Sequence, residues 1–267
     1  MIDLTPRRLI RSLRWRLRDY YPDYEGDDYE CPLCKTQLSV FLPVPADYLG
    51  NWNDNQYVHP IFQLETMNFE NYLCPACQGS DRDRLYALYL EQYLGSLESP
   101  IDLIEFAPTE QLRKVILQFS NVTYRSADLS SELADDVVDL QDMRVYEDER
   151  FDFFICSHIL EHVDDDKAAS RELFRILRKG GKGIAMVPID LSLEKNYENP
   201  DVVTEGDRWA HFCQFDHVRL YSKPGFIKLF QEAGFQIEQF GINHFGMETF
   251  KRAGIHPRSV LYIAEKR

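Results

Sequence analysis

The chain has 267 residues, 44% of them hydrophobic and 28% charged, with a formal net charge of −14. That length suits one sizeable α/β domain plus a small appendage, and the acidic balance argues against non-specific nucleic-acid binding, which works by neutralising phosphates. No apolar run reaches the length of a membrane span and no signal-peptide core follows the start, so the expectation is a cytoplasmic protein with reduced thiols.

Taken in chain order, residues 1–20 form the first unit. They hold six Arg against Asp3 and Asp19, a net of +4, which leaves −18 on residues 21–267. Residues 6–19 have the period of a basic amphipathic helix, with Arg7, Arg11, Arg14 and Arg18 on one face and Leu9, Leu13 and Leu17 on another. Two readings stand: a helix docked on the protein's own acidic body, or a contact with a membrane surface or a protein partner.

The second unit, residues 21–95, carries two Cys-x-x-Cys pairs, Cys31/Cys34 and Cys74/Cys77. Four thiolates in a reducing compartment suit a closed tetrahedral zinc site, each pair resembling a knuckle around its proline (Pro32, Pro75). The 39 residues between Cys34 and Cys74 exceed the usual ribbon spacing. A redox dithiol and unliganded cysteines are the alternatives. Zinc would staple a zinc-ribbon-like segment too small and polar to fold by burial alone. Its short β-like piece is Gln37–Val44, and a Leu- and Tyr-rich stretch, Asp81–Leu94, predicts a helix covering the next unit.

Residues 96–267 alternate strand and helix, the pattern of a parallel sheet flanked by helices. Strands are predicted at about 101–106, 121–127, 136–140, 151–157, 182–188, 235–240 and 259–265, and helices at about 109–119, 164–178 and 224–233. Residues 190–222 have no clear period, which marks a lid or binding loop. In such a sheet the ligand sits at the carboxyl ends of the strands. Three acids fall there: Glu105, Asp128 and Asp139.

The first-strand turn, Glu105-Phe-Ala-Pro-Thr-Glu-Gln111, contains no glycine. A dinucleotide pyrophosphate needs close backbone approach, so NAD is disfavoured. S-adenosylmethionine presents only an amino acid group and a sulfonium near this turn, for which Ala107 is small enough. Asp128 would accept from both ribose hydroxyls and Asp139 from the adenine amino group. The backbone amide of Leu140 or Gln141 would meet a ring nitrogen, and Glu105 would meet the amino acid portion.

On these residues the chain resembles a class I S-adenosylmethionine-dependent methyltransferase, in a branch with a cysteine-paired N-terminal segment. The matching pieces are Glu105-Phe-Ala-Pro108, Ala127-Asp-Leu129, Val138-Asp-Leu140, Phe151–Val163, Leu177-Arg-Lys-Gly-Gly181 and Phe215-Asp-His-Val-Arg-Leu-Tyr221. The missing Gly-x-Gly is the departure. The resemblance implies a Rossmann-like, seven-stranded α/β sheet with its last strand antiparallel. It also implies cofactor contacts from Glu105, Ala107, Asp128, Asp139, Leu140 and the end of strand four at Cys156.

An oxygen acceptor benefits from a general base, and histidine suits that task near neutral pH. His158, at the end of the fourth strand, and His217, in Gln214-Phe-Asp-His-Val-Arg219, are the catalytic candidates. A structural role pinning a loop is the alternative for each. His158-Ile-Leu-Glu-His162 matches a zinc-protease pattern, but it begins at a strand end rather than on a helix. Cys156 and Cys213 read as small buried hydrophobes, and Arg82 and Arg84 either as contacts to the cofactor carboxylate or as a solvated helix start. The expected function is methyl transfer to an oxygen or nitrogen of a small-molecule or glycan-type acceptor, with lid aromatics (Tyr197, Trp209, Phe212, Phe215) either stacking on it or packing the loop. A non-catalytic scaffold that recruits a partner is the alternative.

Overall fold

The computed structural model describes residues 23–130 and 134–267; the basic helix read over residues 6–19 lies outside them. Seven strands form one sheet, numbered here in chain order: β1 (Ile101–Phe106), β2 (Val122–Asp128), β3 (Asp136–Val137), β4 (Phe151–Ser157), β5 (Leu177–Met186), β6 (Gln236–Phe240) and β7 (Leu261–Glu265). Their spatial order is β6-β7-β5-β4-β1-β2-β3. The five strands β5-β4-β1-β2-β3 run parallel, and β7 is antiparallel to both of its neighbours. The Rossmann-like sheet implied by the resemblance is the one observed.

The central strand shows why the chain folds this way. β4 reads Phe-Asp-Phe-Phe-Ile-Cys-Ser, and five of its seven residues, Phe151, Phe153, Phe154, Ile155 and Cys156, are buried. Continuous rather than alternating burial is what a parallel strand covered on both faces requires. In neighbouring β5 a Cβ at Gly183 would fall 2.4 Å from the Phe154 ring, so the phenyl occupies the space a side chain would need.

The helix after β4 runs Asp166–Ile176, capped by the Asp165 carboxylate accepting from Ala168 N, with Ala169, Leu173 and Ile176 buried. It stops two residues short of the predicted end because Leu177 already pairs with Phe151 as the first residue of β5. A bulge between there and Lys182 absorbs Gly180 and Gly181, so these glycines lie within the strand rather than before it. β3 is also shorter than predicted and leaves Asp139 beyond its end.

The covering helix is Asp81–Ser96. A capping box, Ser80 with Asp83, starts it, and it buries Leu85, Tyr86, Tyr89, Leu90 and Leu94 in the main core. Ahead of it, the antiparallel pair Glu25–Glu30 and Gln37–Leu38 carries the first two cysteines. Arg84, fully buried, fastens this region to the C-terminal part: its guanidinium donates to the carbonyls of Asn71, Tyr72, Gly79, Ala253 and Gly254 over the Phe41 ring. That role excludes it from the ligand contact considered in the sequence.

Residues 190–222 hold a helix (Glu205–Phe212) and a two-stranded ribbon, Tyr197–Glu198 with Arg219–Leu220. They pack against residues 46–69, which the sequence reading placed within the cysteine segment. Trp52, Leu64, Val202, Phe212, Cys213 and Leu220 form a second apolar cluster, and Trp52 Nε1 donates to Cys213 O at 2.8 Å. Two chain segments far apart in sequence thus make one cap over the carboxyl edge of the sheet. Among the described residues no helix is long and apolar enough to cross a membrane.

Candidate active site

The carboxyl edge divides at the β1/β4 boundary, the switch point where a doubly wound sheet opens a crevice. On the β1-β2-β3 side stand the three acids. Glu105 is buried; its carboxylate accepts from Tyr124 Oη at 2.6 Å and from Thr109 N at 3.2 Å, which braces the turn. Burial pushes its pKa up to about 7, against the pull of those two donors. Ala107 follows with φ of 50°, a left-handed conformation in a residue other than glycine, and it is exposed at the bend. Asp128 closes β2 half-buried, with one oxygen accepting from Ser130 N at 2.9 Å. Asp139 is exposed beyond β3 and accepts from Gln141 N at 2.8 Å, so of the two amides named from the sequence the one left for a ligand is Leu140's.

The β4-β5 side holds a cavity of ≈ 230 Å³. Its floor is the turn after β4, where His158 takes a φ of 56° and turns the chain out of the sheet. Strain at such a position persists only when the surroundings fix it, and here they do. Arg219 donates to the carbonyls of Leu160, Val163 and Asp164, and Tyr221 Oη donates to Leu160 O and to Asp166. His217, Arg219 and Tyr221 alternate along an extended segment and so share a face. Two of them clamp the turn from below, and the third faces the cavity.

Glu161, His162 and His217 all line the cavity with His158 and Arg82. Glu161 is 1% exposed, with Oε1 3.1 Å from His158 Nδ1. Burial works against its charge, but the imidazoles of His158, His217 and His162 outweigh that and hold the carboxyl down at about 2. Burial, and then the Arg82 guanidinium, push His158 down to about 4, which leaves its imidazole neutral at pH 7. Burial likewise lowers His217, whose Nδ1 donates to Phe212 O at 2.8 Å and leaves Nε2 as the acceptor. Further lining comes from Tyr48, Trp52 and Leu64 of the cap and from Tyr72 just after it.

The four cysteines converge. All are free thiols, with Cys31 and Cys77 sulfurs 3.8 Å apart and Cys34 and Cys74 sulfurs 3.9 Å apart. A tetrahedron of thiolates about 2.3 Å from a central ion has edges of about 3.8 Å, so the donor set fits zinc. The two halves repeat one turn. In each, the residue after the second cysteine, Lys35 or Gln78, is left-handed and donates its N–H to the carbonyl of the first.

A family model described as a methyltransferase domain matches residues 79–239, more than half of the chain. The chain belongs to that methyltransferase family. No curated protein matches it at a significant level. Among solved structures, it is similar to a Burkholderia thailandensis 1,6-didemethyltoxoflavin-N1-methyltransferase with bound S-adenosylhomocysteine (15% identity, 83% of this chain and 86% of that one, TM-score 0.46). It is also similar to an Archaeoglobus fulgidus SAM-dependent methyltransferase (11% identity, 72% and 96%, TM-score 0.46) and to the [4+2]-cyclase SpnF (14% identity, 85% and 98%, TM-score 0.44).

In this member of the methyltransferase family, both candidate histidines reach the same cavity, while Glu105, Ala107, Asp128, Asp139 and Leu140 lie on the other half of the edge and Cys156 in β4. Cys156 is fully buried in β4, and burial pushes its thiol up, so only its backbone is available there. Cys213 is buried in the cap. Of the lid aromatics, Tyr197 packs on Phe212 and His211, and Trp209 on Tyr48 and Phe215, which accounts for these contacts without a ligand. The aromatic wall the sequence reading missed belongs to Tyr48, Trp52 and Tyr72. Their only local signal is a density of aromatics between the two cysteine pairs. His158–His162 forms a turn and the helix begins at Asp166, so the protease-like spelling has no helical face behind it.

Proposed function

We propose that this methyltransferase transfers a methyl group to a hydroxyl of a small-molecule acceptor seated in the cavity between the β4–β5 edge and the cap. The observation that carries this reading is His158. It stands at the switch point in a strained, clamped turn, and it lines a cavity of mixed polar and apolar residues beside the crevice where the family's cofactor belongs. S-adenosylmethionine, when bound, supplies an electrophilic methyl group on sulfonium.

The chain's own residues would do the rest. Asp128 would accept the ribose hydroxyls, and Asp139 with the Leu140 amide would meet the base. Glu105 and Ala107 would shape the bend for the amino acid portion, with the backbone at Cys156 closing the floor. His158 would take the hydroxyl proton, with Glu161 Oε1 3.1 Å from its Nδ1 to stabilise the imidazolium, and His217 lines the same cavity. Alignment of donor and acceptor is the larger part of such catalysis, and the Arg219–Tyr221 clamp is what holds it. The four cysteines would hold a structural zinc remote from the chemistry.

His158→Asn tests the assignment, since asparagine tolerates the left-handed backbone. Turnover of methyl-labelled cofactor into small-molecule product should fall by about 10²–10⁴, with calorimetric affinity for S-adenosylmethionine unchanged. Wild-type turnover in that variant would remove His158 from the mechanism.

A further inference from the structure

Glu161 presents a problem that methyl transfer alone does not solve. Its side chain is 1% exposed, and neither carboxylate oxygen has a hydrogen-bond partner; the nearest ring nitrogen, His158 Nδ1, lies 3.1 Å from Oε1. A buried carboxylate left without donors costs several kcal/mol, and such a group persists where something else completes it.

What surrounds it is a set of ligands. Donor atoms of Glu161, His162 and His217 all lie within 4.8 Å of one another, and all three residues line the cavity. Both imidazoles are held from behind by oxygen. Phe212 O accepts from His217 Nδ1 at 2.8 Å, and Asp216 Oδ2 lies 3.3 Å from His162 Nδ1. An oxygen partner on one ring nitrogen fixes the tautomer and turns the lone pair of the other outward, which is how metal-binding histidines are oriented. The His162 and His217 rings meet edge to face, with centroids 4.6 Å apart. The backbone makes the set rigid: Val218 N donates to Glu161 O at 2.9 Å, which locks the turn that carries two ligands to the segment that carries the third.

We propose that Glu161, His162 and His217 bind a divalent transition-metal cation in the acceptor cavity. Two imidazoles and one carboxylate suit zinc, cobalt(II) or iron(II) rather than magnesium or calcium, which take oxygen shells. Three protein ligands leave a position open, as in catalytic rather than structural sites, and here the open side is the cavity. The ion binds whether or not the acceptor assignment holds. Its role, to seat an acceptor oxygen and ease loss of its proton, rests on that assignment.

The test is cobalt(II) titrated into the full chain with zinc already on its four cysteines. One further equivalent should bind and give weak ligand-field bands in the visible without a thiolate charge-transfer band. Glu161→Gln and His217→Ala should each weaken that binding by more than roughly 100-fold, the upper end of the loss seen for outer-shell partners. His162→Gln, altering a half-buried ligand on a turn, should do the same and serves if a core variant fails to fold. A wild-type chain that takes up no second equivalent, or folded variants that bind it as before, would overturn the proposal. A chain that binds the second ion yet shows no methyl transfer would sink the acceptor reading and leave the metal site standing.

Discussion

Cys31, Cys34, Cys74 and Cys77 are gathered by two copies of one short turn, and every thiol has another beside it. Glu161, His162 and His217 are gathered by a strand end and a distant loop, and the carboxylate among them has no donor of its own. The first region joins the main core and closes on itself; the second opens into a cavity and leaves polar groups over. That difference separates groups that hold the fold from groups reserved for ligands. Changes in the first should cost stability and spare binding, and changes along the carboxyl edge of the sheet should do the reverse.

The largest effect belongs to the cysteines. Cys74→Ser, or strong chelation, should remove much of the ~10–16 kcal/mol that structural zinc supplies in small domains. Hydrogen exchange should then show residues 25–45 and 70–80 opened; unchanged protection there would mean that no metal holds the knuckles.

Glu105 offers the converse case. Its folded pKa of about 7 lies above the ordinary 4.5, so the folded state holds the proton more tightly. The stability this gives is fully present below pH 4.5 and is lost as pH rises through 7, a span of roughly 2–4 kcal/mol. Urea unfolding of the cofactor-free chain at pH 5 and pH 8 should show that loss, and Glu105→Gln should flatten it. Parallel curves for the two proteins would contradict the account.

Asp128→Ala should weaken S-adenosylmethionine binding by about 1.5–3 kcal/mol through the lost charged hydrogen bonds, with the unfolding midpoint nearly unmoved. Equal affinity by calorimetry would retire the ribose assignment. The smallest effect is expected at Ala107, where the left-handed backbone strains any side chain. Ala107→Gly should stabilise the chain by about 0.5–1 kcal/mol, net of glycine's extra unfolded-state entropy, and a loss of stability would show that the bend is not strained.

Much of this was legible in the sequence because it is local. The run Phe151–Cys156 reads as a strand buried on both faces, and Glu105 and Asp128 follow from where their runs stop, whereas Asp139 falls two residues past the short β3. The helix after β4 follows from its caps; it begins two residues later than predicted, behind its Asp165 cap, and ends two residues earlier because Leu177 pairs with Phe151, a contact no window contains. The cap was illegible for the same reason. Trp52 and Tyr48 meet residues 209–213 across more than 150 positions, and nothing near them says so. The alternation of His217, Arg219 and Tyr221 was available as a period of two, but not the turn it supports.

Arg84 carries a consequence for how such chains can vary. Each of its acceptors is a main-chain oxygen, an atom that every residue type provides. As far as this rivet is concerned, the identities at Asn71, Tyr72 and Ala253 are free to drift, whereas lysine cannot replace a fork of five donors. Residues 71–84 and 253–254 are therefore joined by a constraint with a single informative letter, and a search for co-varying pairs would pass over it.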